Sequence, residues 1–380
     1  MIYLDYNATT PIAKEVAEAI MPFVLEDFGN PSSAHPMGVK AKEALEKARE
    51  QVARLLGCET NEIIFTSGGT EANNMVLKSL AWTLRSKGAH IVTTRIEHPA
   101  IINTALFLME TGCDVTFVPV DSYGQVYPEE VKKAIRKDTI LITVMHANNE
   151  TGTIQPIADI SSIAREHGIA FHTDAAQSVG KIEVRVDDLG VDFLTIAGHK
   201  LYAPKGVGAL YIRDGVVIEP FMHGGGQEMG LRSGTENVML NVGLGKACEL
   251  ISENIANEMP RIRALRDRLH AQIRSAVPEV VLNGHPEMRL PNTLFVSFPE
   301  MAGEEILAQI PELCTSTGAA CHDRSVTLSH VLAAMGVSKE VGMGAIRLTL
   351  GRPTTEEEVD QAAQWIVEAV EKMRARKTHV

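Results

Sequence analysis

The sequence predicts an α/β protein in which a large domain, built on a mostly parallel seven-stranded sheet, precedes a smaller α/β domain. Three observations carry that prediction. Short runs rich in β-branched residues alternate with helical periodicities through the first two thirds of the chain. These runs are apolar throughout rather than alternating, so the sheet is covered on both faces. After about residue 240 the pattern changes to long amphipathic helices and then to a second, smaller set of strands. At 380 residues, with 45% hydrophobic and 22% charged side chains, the chain has the composition of a folded globular protein of two or three domains.

The N-terminus MIYLDYNATTP reads as a strand and a turn. It lacks the charged start, apolar core and small-residue cleavage site of a secretory leader, and no apolar run approaches membrane-spanning length, so the cytoplasm is the expected compartment. Residues 63–66 form the first strand of the sheet. A glycine turn and a helix follow, with Met75, Val76, Leu80 and Leu84 on its apolar face. The strand HIVTTRI (90–96), a helix from Pro99, the strand DVTFVPV (114–120), a helix from Pro128 and the strand TILITVMHAN (139–148) repeat the pattern. A helix over 156–167 leads into the strands IAFHTDAA (169–176), VDFLTIAG (191–198) and GALYIR (208–213). Two helices, 238–256 and 258–276, the second starting just before Pro260, connect the sheet to the C-terminal third. There LPNTLFVSF (290–298) and CTSTGAAC (314–321) read as strands. The run Thr355-Glu356-Glu357-Glu358 opens the closing helix as a capping box. The expected boundaries are 15–255 for the large domain, and 1–14 with 256–380 for the small one.

The net charge of −12, with no basic patch interleaved with aromatics, argues against a nucleic-acid surface. The five cysteines, at 58, 113, 248, 314 and 321, show no CxxC spacing, so neither a disulfide framework nor a zinc site is indicated. Cys113 and Cys248 read as apolar fillers. Cys321 follows the small residues Gly318-Ala319-Ala320 and is the candidate reactive thiol.

Polar residues gather after the strands, where sheets of this kind bind ligands. The segment LTIAGHKLYAPKG (194–206) carries Lys200 from an apolar strand into a Gly/Pro turn. Buried there, its pKa would fall and leave a nucleophilic amine suited to a Schiff base. The segment TSGGTEANN (66–74) lies between a strand and a helix, and is either a phosphate seat at a helix N-terminus or a tight turn with a threonine cap. It is neither a Walker A loop nor a GxGxxG turn. Glu97-His98 ends one strand and Asn148-Asn149-Glu150-Thr151-Gly152 another. Asp174 follows an apolar strand and wants a cationic partner; a protonated heteroaromatic nitrogen would serve, and Gln177 could then reach a phenolic oxygen on the same ring. A lysine, an acid, a phosphate seat and an imidazole plane are the set that pyridoxal phosphate needs.

LDYNATTP (4–11), FGNPSSAH (28–35), SGGTEANN, EH, NNETG, HTDAAQSVGK (172–181), GHKLYAPKG, GGGQEMGLRSGTEN (224–237) and AIRLTLGR (345–352) cover nearly the whole chain. In that order they resemble the class V aminotransferase-like, fold-type I pyridoxal phosphate enzymes, and within them the NifS/IscS-type cysteine desulfurases. The resemblance implies Lys200 as the lysine bonded to the cofactor, Asp174 on the pyridine nitrogen, Gln177 on the ring oxygen and His98 stacked on the ring. It places Gly69, Thr70 and His199 around the phosphate, and Thr235 at the phosphate of a partner subunit in a homodimer. Asn149, Arg347 and Asn30 match substrate-holding positions, and Cys321 the thiol that takes sulfur from L-cysteine, leaving L-alanine and a persulfide. A sulfur-acceptor or scaffold protein for Fe–S cluster assembly or thiolation follows as partner, and no metal. Three positions depart from the pattern, one of them Pro99 directly after His98, which carries no reading of specificity. Ala197 stands where many desulfurases have a phosphate-contacting serine, and the pair Cys321-His322 looks like selenocysteine lyases. A selenocysteine lyase releasing selenide is thus the alternative, and an aminotransferase of the same fold a third reading.

Overall fold

The computed structural model describes the backbone of residues 1–317, 319–322 and 325–378, and the side chains of 1–317 and 327–376. Strand β1 (Ile2–Tyr3) opens the chain, followed by helices α1 (Lys14–Leu25) and α2 (Pro36–Leu56). Neither helix belongs to the strand-helix alternation that marks the sheet. α1 buries only Val16, too weak a stripe to announce itself. α2 ends at Gly57, whose φ of 72° is the left-handed cap that glycine adopts without strain.

The sheet domain then follows as β2 (Ile63–Thr66), α3 (Gly69–Thr83), β3 (His90–Thr94), α4 (Pro99–Glu110), β4 (Asp114–Val118), α5 (Pro128–Ala134), β5 (Thr139–Thr143), α6 (Ile157–Glu166), β6 (Ala170–Asp174), α7 (Val186–Leu189), β7 (Phe193–Ala197) and β8 (Gly208–Ile212). The seven strands lie in the order β2-β8-β7-β6-β5-β3-β4. All neighbours are parallel except β8, which runs antiparallel to both β2 and β7. Successive residues point to opposite faces. Val92, Ile142, Phe171 and Leu194 pack against α2 and α6 on one side. Ile91, Leu141, Phe193 and Leu210 pack against α3 and α4 on the other. This two-sided cover explains why the strands read as unbroken apolar runs.

Past the sheet, the two helices expected over 238–256 and 258–276 are one. Helix α8 (Val238–Ala276) runs unbroken for 39 residues, with Pro260 inside it. Its first half buries Leu244, Cys248 and Ile251 in the sheet core, and its second half Ile262, Leu265, Leu269 and Ile273 in a second core. The chain continues through β9 (Val281–Leu282), β10 (Thr293–Ser297), α9 (Gly303–Leu307), β11 (Leu313–Cys314), β12 (Ser316–Thr317), β13 (Ala319–His322), β14 (Ser325–Leu328), α10 (His330–Ala334), α11 (Lys339–Gly342), β15 (Ala345–Thr349) and α12 (Glu356–Thr378). The expected strand over 314–321 is therefore three short pieces, because each finds a different partner. β11 pairs with β1, β12 with β15, and β13 with β14. The β1–β11 pairing draws Ile2 and Leu4 into the second core beside Leu294, Leu348 and Ile366. Thr355 and Glu358 form the expected reciprocal cap of α12, with bonds of 3.1 and 3.2 Å.

Candidate active site

The carboxyl ends of β5, β6 and β7 open onto a cavity of about 450 Å³. Its wall contains Gly69, Thr70, His98, Asn149, Asp174, Gln177, His199, Lys200 and Arg347, so nine residues singled out from the sequence converge on one space. Ala197 lines it too.

Helix α3 starts at this wall. Gly68 is its N-cap at φ 149°, and no side chain caps it, which removes the threonine-cap reading of TSGGTEANN. A first turn without a capping side chain is an anion seat by virtue of its orphan N–H groups and dipole. Thr70, in that first turn, adds a hydroxyl to the wall.

β7 delivers Gly198-His199-Lys200 as a single 3₁₀ turn. Lys200 Nζ donates to Ala8 O at 2.6 Å and to Asn7 O. Burial pulls its pKa down to about 8, and Arg347 adds repulsion, so the amine is far more available than on the surface. His199 Nδ1 meets Thr9 Oγ1 at 3.2 Å, and burial together with Lys200 and Lys205 pushes its pKa down to about 4, leaving a neutral ring. His98 is the N-cap of α4. Its Nδ1 accepts from Ala100 N at 3.1 Å, so the neutral ring carries its proton on Nε2, and burial lowers its pKa.

Asp174 ends β6, buried, with Oδ2 accepting from Asn73 Nδ2 at 2.7 Å and Oδ1 from Ala176 N at 3.0 Å. Among the described residues no cation pairs with it, a costly state for a buried carboxylate unless a ligand supplies the charge. Gln177 Nε2 donates to Asn7 O at 3.0 Å. Arg347, on β15, gives Nη2 to Asp5 Oδ1 at 2.7 Å and Nη1 to Asn149 O at 3.1 Å, while its buried Nε has no partner. The guanidinium is thus oriented before any carboxylate arrives. An uncapped helix end, a buried unpaired carboxylate and an activated lysine on one wall fit a phosphorylated pyridine aldehyde.

Two of the predicted residues stand apart: Asn30 and Thr235 are exposed and do not line this cavity. The backbone of Cys321 pairs with Val326 in the β13–β14 hairpin, but its sulfur and the His322 ring lie outside the described side chains. Three other thiols are poorly placed for chemistry, since burial pushes Cys58 and Cys248 up to about 12 and raises Cys113. Among the described residues no cluster of His, Cys, Asp and Glu could hold a metal ion.

Asp5, Asn7, Asn73 and Lys181 lie within the motifs, but the sequence assigns them no role. Asn7 is the hinge of the site, touching Lys200, Gln177, Lys181 and Asn149 through its side chain and carbonyl. Only Asn73 carried a usable signal: it lies one helical turn beyond Gly69 and Thr70 on α3.

A profile of the family described as Aminotransferase class-V matches residues 2–362. A protein of Dictyoglomus turgidum named Cysteine desulfurase IscS is 50% identical over 98% of this chain and 95% of its own length. One of the same name from Methanosarcina thermophila is 48% identical over 98% and 93%. Among solved structures, one titled NIFS-LIKE PROTEIN superposes with a TM-score of 0.92 and 41% identity, covering 97% of this chain and 99% of that one. Likeness at this level along almost the entire length makes the chain a member of the class-V aminotransferase family.

Proposed function

We propose that this chain is a pyridoxal phosphate-dependent cysteine desulfurase that converts L-cysteine to L-alanine and receives the sulfur as a persulfide on Cys321. Two findings support the reading together: the cavity that joins Lys200 to Asp174, and a cysteine within reach of it. Ser316 pairs with Arg347, and the five residues from there to Cys321 extend at most about 17 Å. Bound, the cofactor supplies an electron sink that loosens bonds at the substrate's α-carbon. Lys200 would hold the cofactor through Nζ, and Asp174 would keep its ring nitrogen charged. The first turn of α3, Thr70 and His199 would seat the phosphate, Gln177 would donate to the ring oxygen, and His98 would offer the ring a neutral imidazole with its proton on Nε2. Arg347, steadied by Asp5, takes the substrate carboxylate, with Asn149 beside it. The Cys321 thiolate attacks the substrate sulfur, an S–S bond forms as the C–S bond breaks, and the substrate carbon takes up a proton to become alanine.

The working unit in this reading is a homodimer. Thr70 and His98 also line an outer groove with Lys78 and Phe107, beside a surface where Trp82 stacks on Phe221 and Lys78 Nζ sits 4.8 Å from the Phe107 ring. A second copy covering this face would bring its exposed Thr235 to the phosphate. The persulfide passes to an acceptor or scaffold protein for Fe–S assembly or thiolation. None of the helices is long and apolar enough to cross a membrane among the described residues, and the cytoplasm is the proposed compartment.

Mass spectrometry of the Cys321 peptide after incubation with L-cysteine tests the reading. The peptide is expected to gain one sulfur atom that reductant removes. Cofactor-loaded protein that leaves it unmodified would reject the reading, and faster turnover of L-selenocysteine with L-cysteine inert would assign a selenocysteine lyase instead.

A further inference from the structure

The reaction proposed above makes no use of Lys181, yet this lysine is buried beside the site, only 7% exposed. Among the described residues no carboxylate pairs with it. An ammonium buried without an anion costs several kcal/mol, whereas a methionine of similar length would fill the space without that cost. Burial, and then Lys200, accordingly hold the Lys181 pKa well below its usual value.

What Nζ does touch is two amide oxygens: Gln177 Oε1 at 2.5 Å and Asn7 Oδ1 at 3.0 Å. Protonated or neutral, Nζ carries a hydrogen for each of the two oxygens, and both amides turn those oxygens toward it and their NH2 groups away. Gln177 Nε2 then gives one hydrogen to Asn7 O and keeps the other, while Asn7 Nδ2 donates to Asn149 O at 3.2 Å and Thr293 Oγ1 at 2.9 Å. A primary amide has nearly the same shape either way round but opposite polarity. Flipped, Gln177 would present a lone pair where a ring oxygen needs a donor. The local chain is built for this contact. Lys181 follows Gln177 by four residues, and Gly180 turns between them at φ 77°, where an added Cβ would sit 2.9 Å from both Ile251 Cδ1 and Leu201 Cδ2.

We propose that Lys181 is a positioning residue for the cofactor: wedged between two amide oxygens, it locks Gln177 with its NH2 toward the ring oxygen and ties that lock through Asn7 to Lys200. This inference rests on the pyridoxal phosphate reading of the cavity. It makes Gln177 a fixed donor and keeps a second lysine nitrogen near the one that binds the cofactor. Both features favour the cofactor-lysine linkage with one proton fewer, so removing Lys181 raises the pH at which that proton leaves.

The test is a pH titration of the visible cofactor band of holoenzyme, for Lys181→Met, Gln177→Ala and the double variant. Lys181→Met is expected to keep the band, to raise its midpoint by about 0.5–1 pH unit, and to lower kcat about five- to tenfold. Because the lysine acts through the amide, the double variant is expected to move little beyond Gln177→Ala alone. A lower melting temperature with an unmoved midpoint and unchanged kcat would make Lys181 a merely structural residue and overturn the inference. Fully additive midpoints would overturn the route through Gln177. If Lys181→Met does not fold, Lys181→Gln, which stays polar but is too short to reach both oxygens as Nζ does, takes the same titration with the same two outcomes. Wild-type protein that shows no cofactor band contradicts the underlying reading, whereas a wild-type band whose midpoint ignores position 181 contradicts this inference alone.

Discussion

Lys200 owes its reactivity to where β7 leaves it. On a surface its amine would be protonated up to about pH 10.4, but buried beside Arg347 its pKa falls to about 8. Cofactor capture by the apoprotein should therefore accelerate as the pH rises to about 8 and level off above it. An unperturbed lysine would keep gaining to about pH 10, and stopped-flow absorbance separates the two profiles. Lys200→Ala should lose the band near about 400 nm altogether. Asp174 has the complementary problem, a buried carboxylate fed by Asn73 and Ala176 N–H groups but by no cation among the described residues. Asp174→Asn keeps the shape and removes the charge that a ring nitrogen needs, so kcat should fall about 10²-fold while the cofactor still binds. An equal loss of binding, read by equilibrium dialysis, would give Asp174 a role in holding the cofactor instead.

The elements show where local sequence rules yield to tertiary packing. A proline inside a helix costs about 3 kcal/mol, which is why Pro260 reads as a helix start. Against that, Ile262, Leu265, Leu269 and Ile273 each gain about 1.5–3 kcal/mol on burial, and the continuous α8 places them in the second core while Leu244 and Ile251 stay in the first. The sum favours the unbroken helix. The loop 224–237, which carries Thr235, is anchored similarly. Glu228 and Met229 adopt φ values of 46° and 57°, sparsely populated for residues with a side chain. Glu228 is held there by a buried two-pronged pair with Arg49, at 2.8 and 2.9 Å, and accepts from Phe65 N as well. Glu228→Gln leaves the buried Arg49 only the half-exposed Glu46, 3.4 Å from its Nε, so calorimetry should show a loss of about 3 kcal/mol in unfolding free energy. A loss under about 1 kcal/mol would mean that water reaches the guanidinium. A second pair, Arg232 to Glu71 at 2.7 Å, ties the same loop to the first turn of α3.

At the scale of the molecule, what was legible is what a strand end announces. Lys200, Asp174, His98 and the glycine turn at α3 each follow an apolar run, and a parallel sheet brings such ends together whatever lies between them. Asn7, Asp5 and Lys181 were not legible, because their places depend on β1 crossing to β11 and on hydrogen bonds spanning more than 170 residues. That crossing also supports our proposal that residues 1–14 and 256–380 form one domain around 15–255. Sedimentation should find the proposed homodimer, and Thr235→Val should weaken cofactor binding in the dimer. A fully active monomer would contradict the shared site. If Lys200 sets the class of chemistry and Cys321 directs it to sulfur, as proposed, then alanine and sulfide released from L-cysteine will separate wild type from Cys321→Ser, both carrying the visible band. In the presence of reductant the wild type should release the two in equal amounts and the variant neither. Alanine formed by Cys321→Ser at the wild-type rate would remove Cys321 from the reaction.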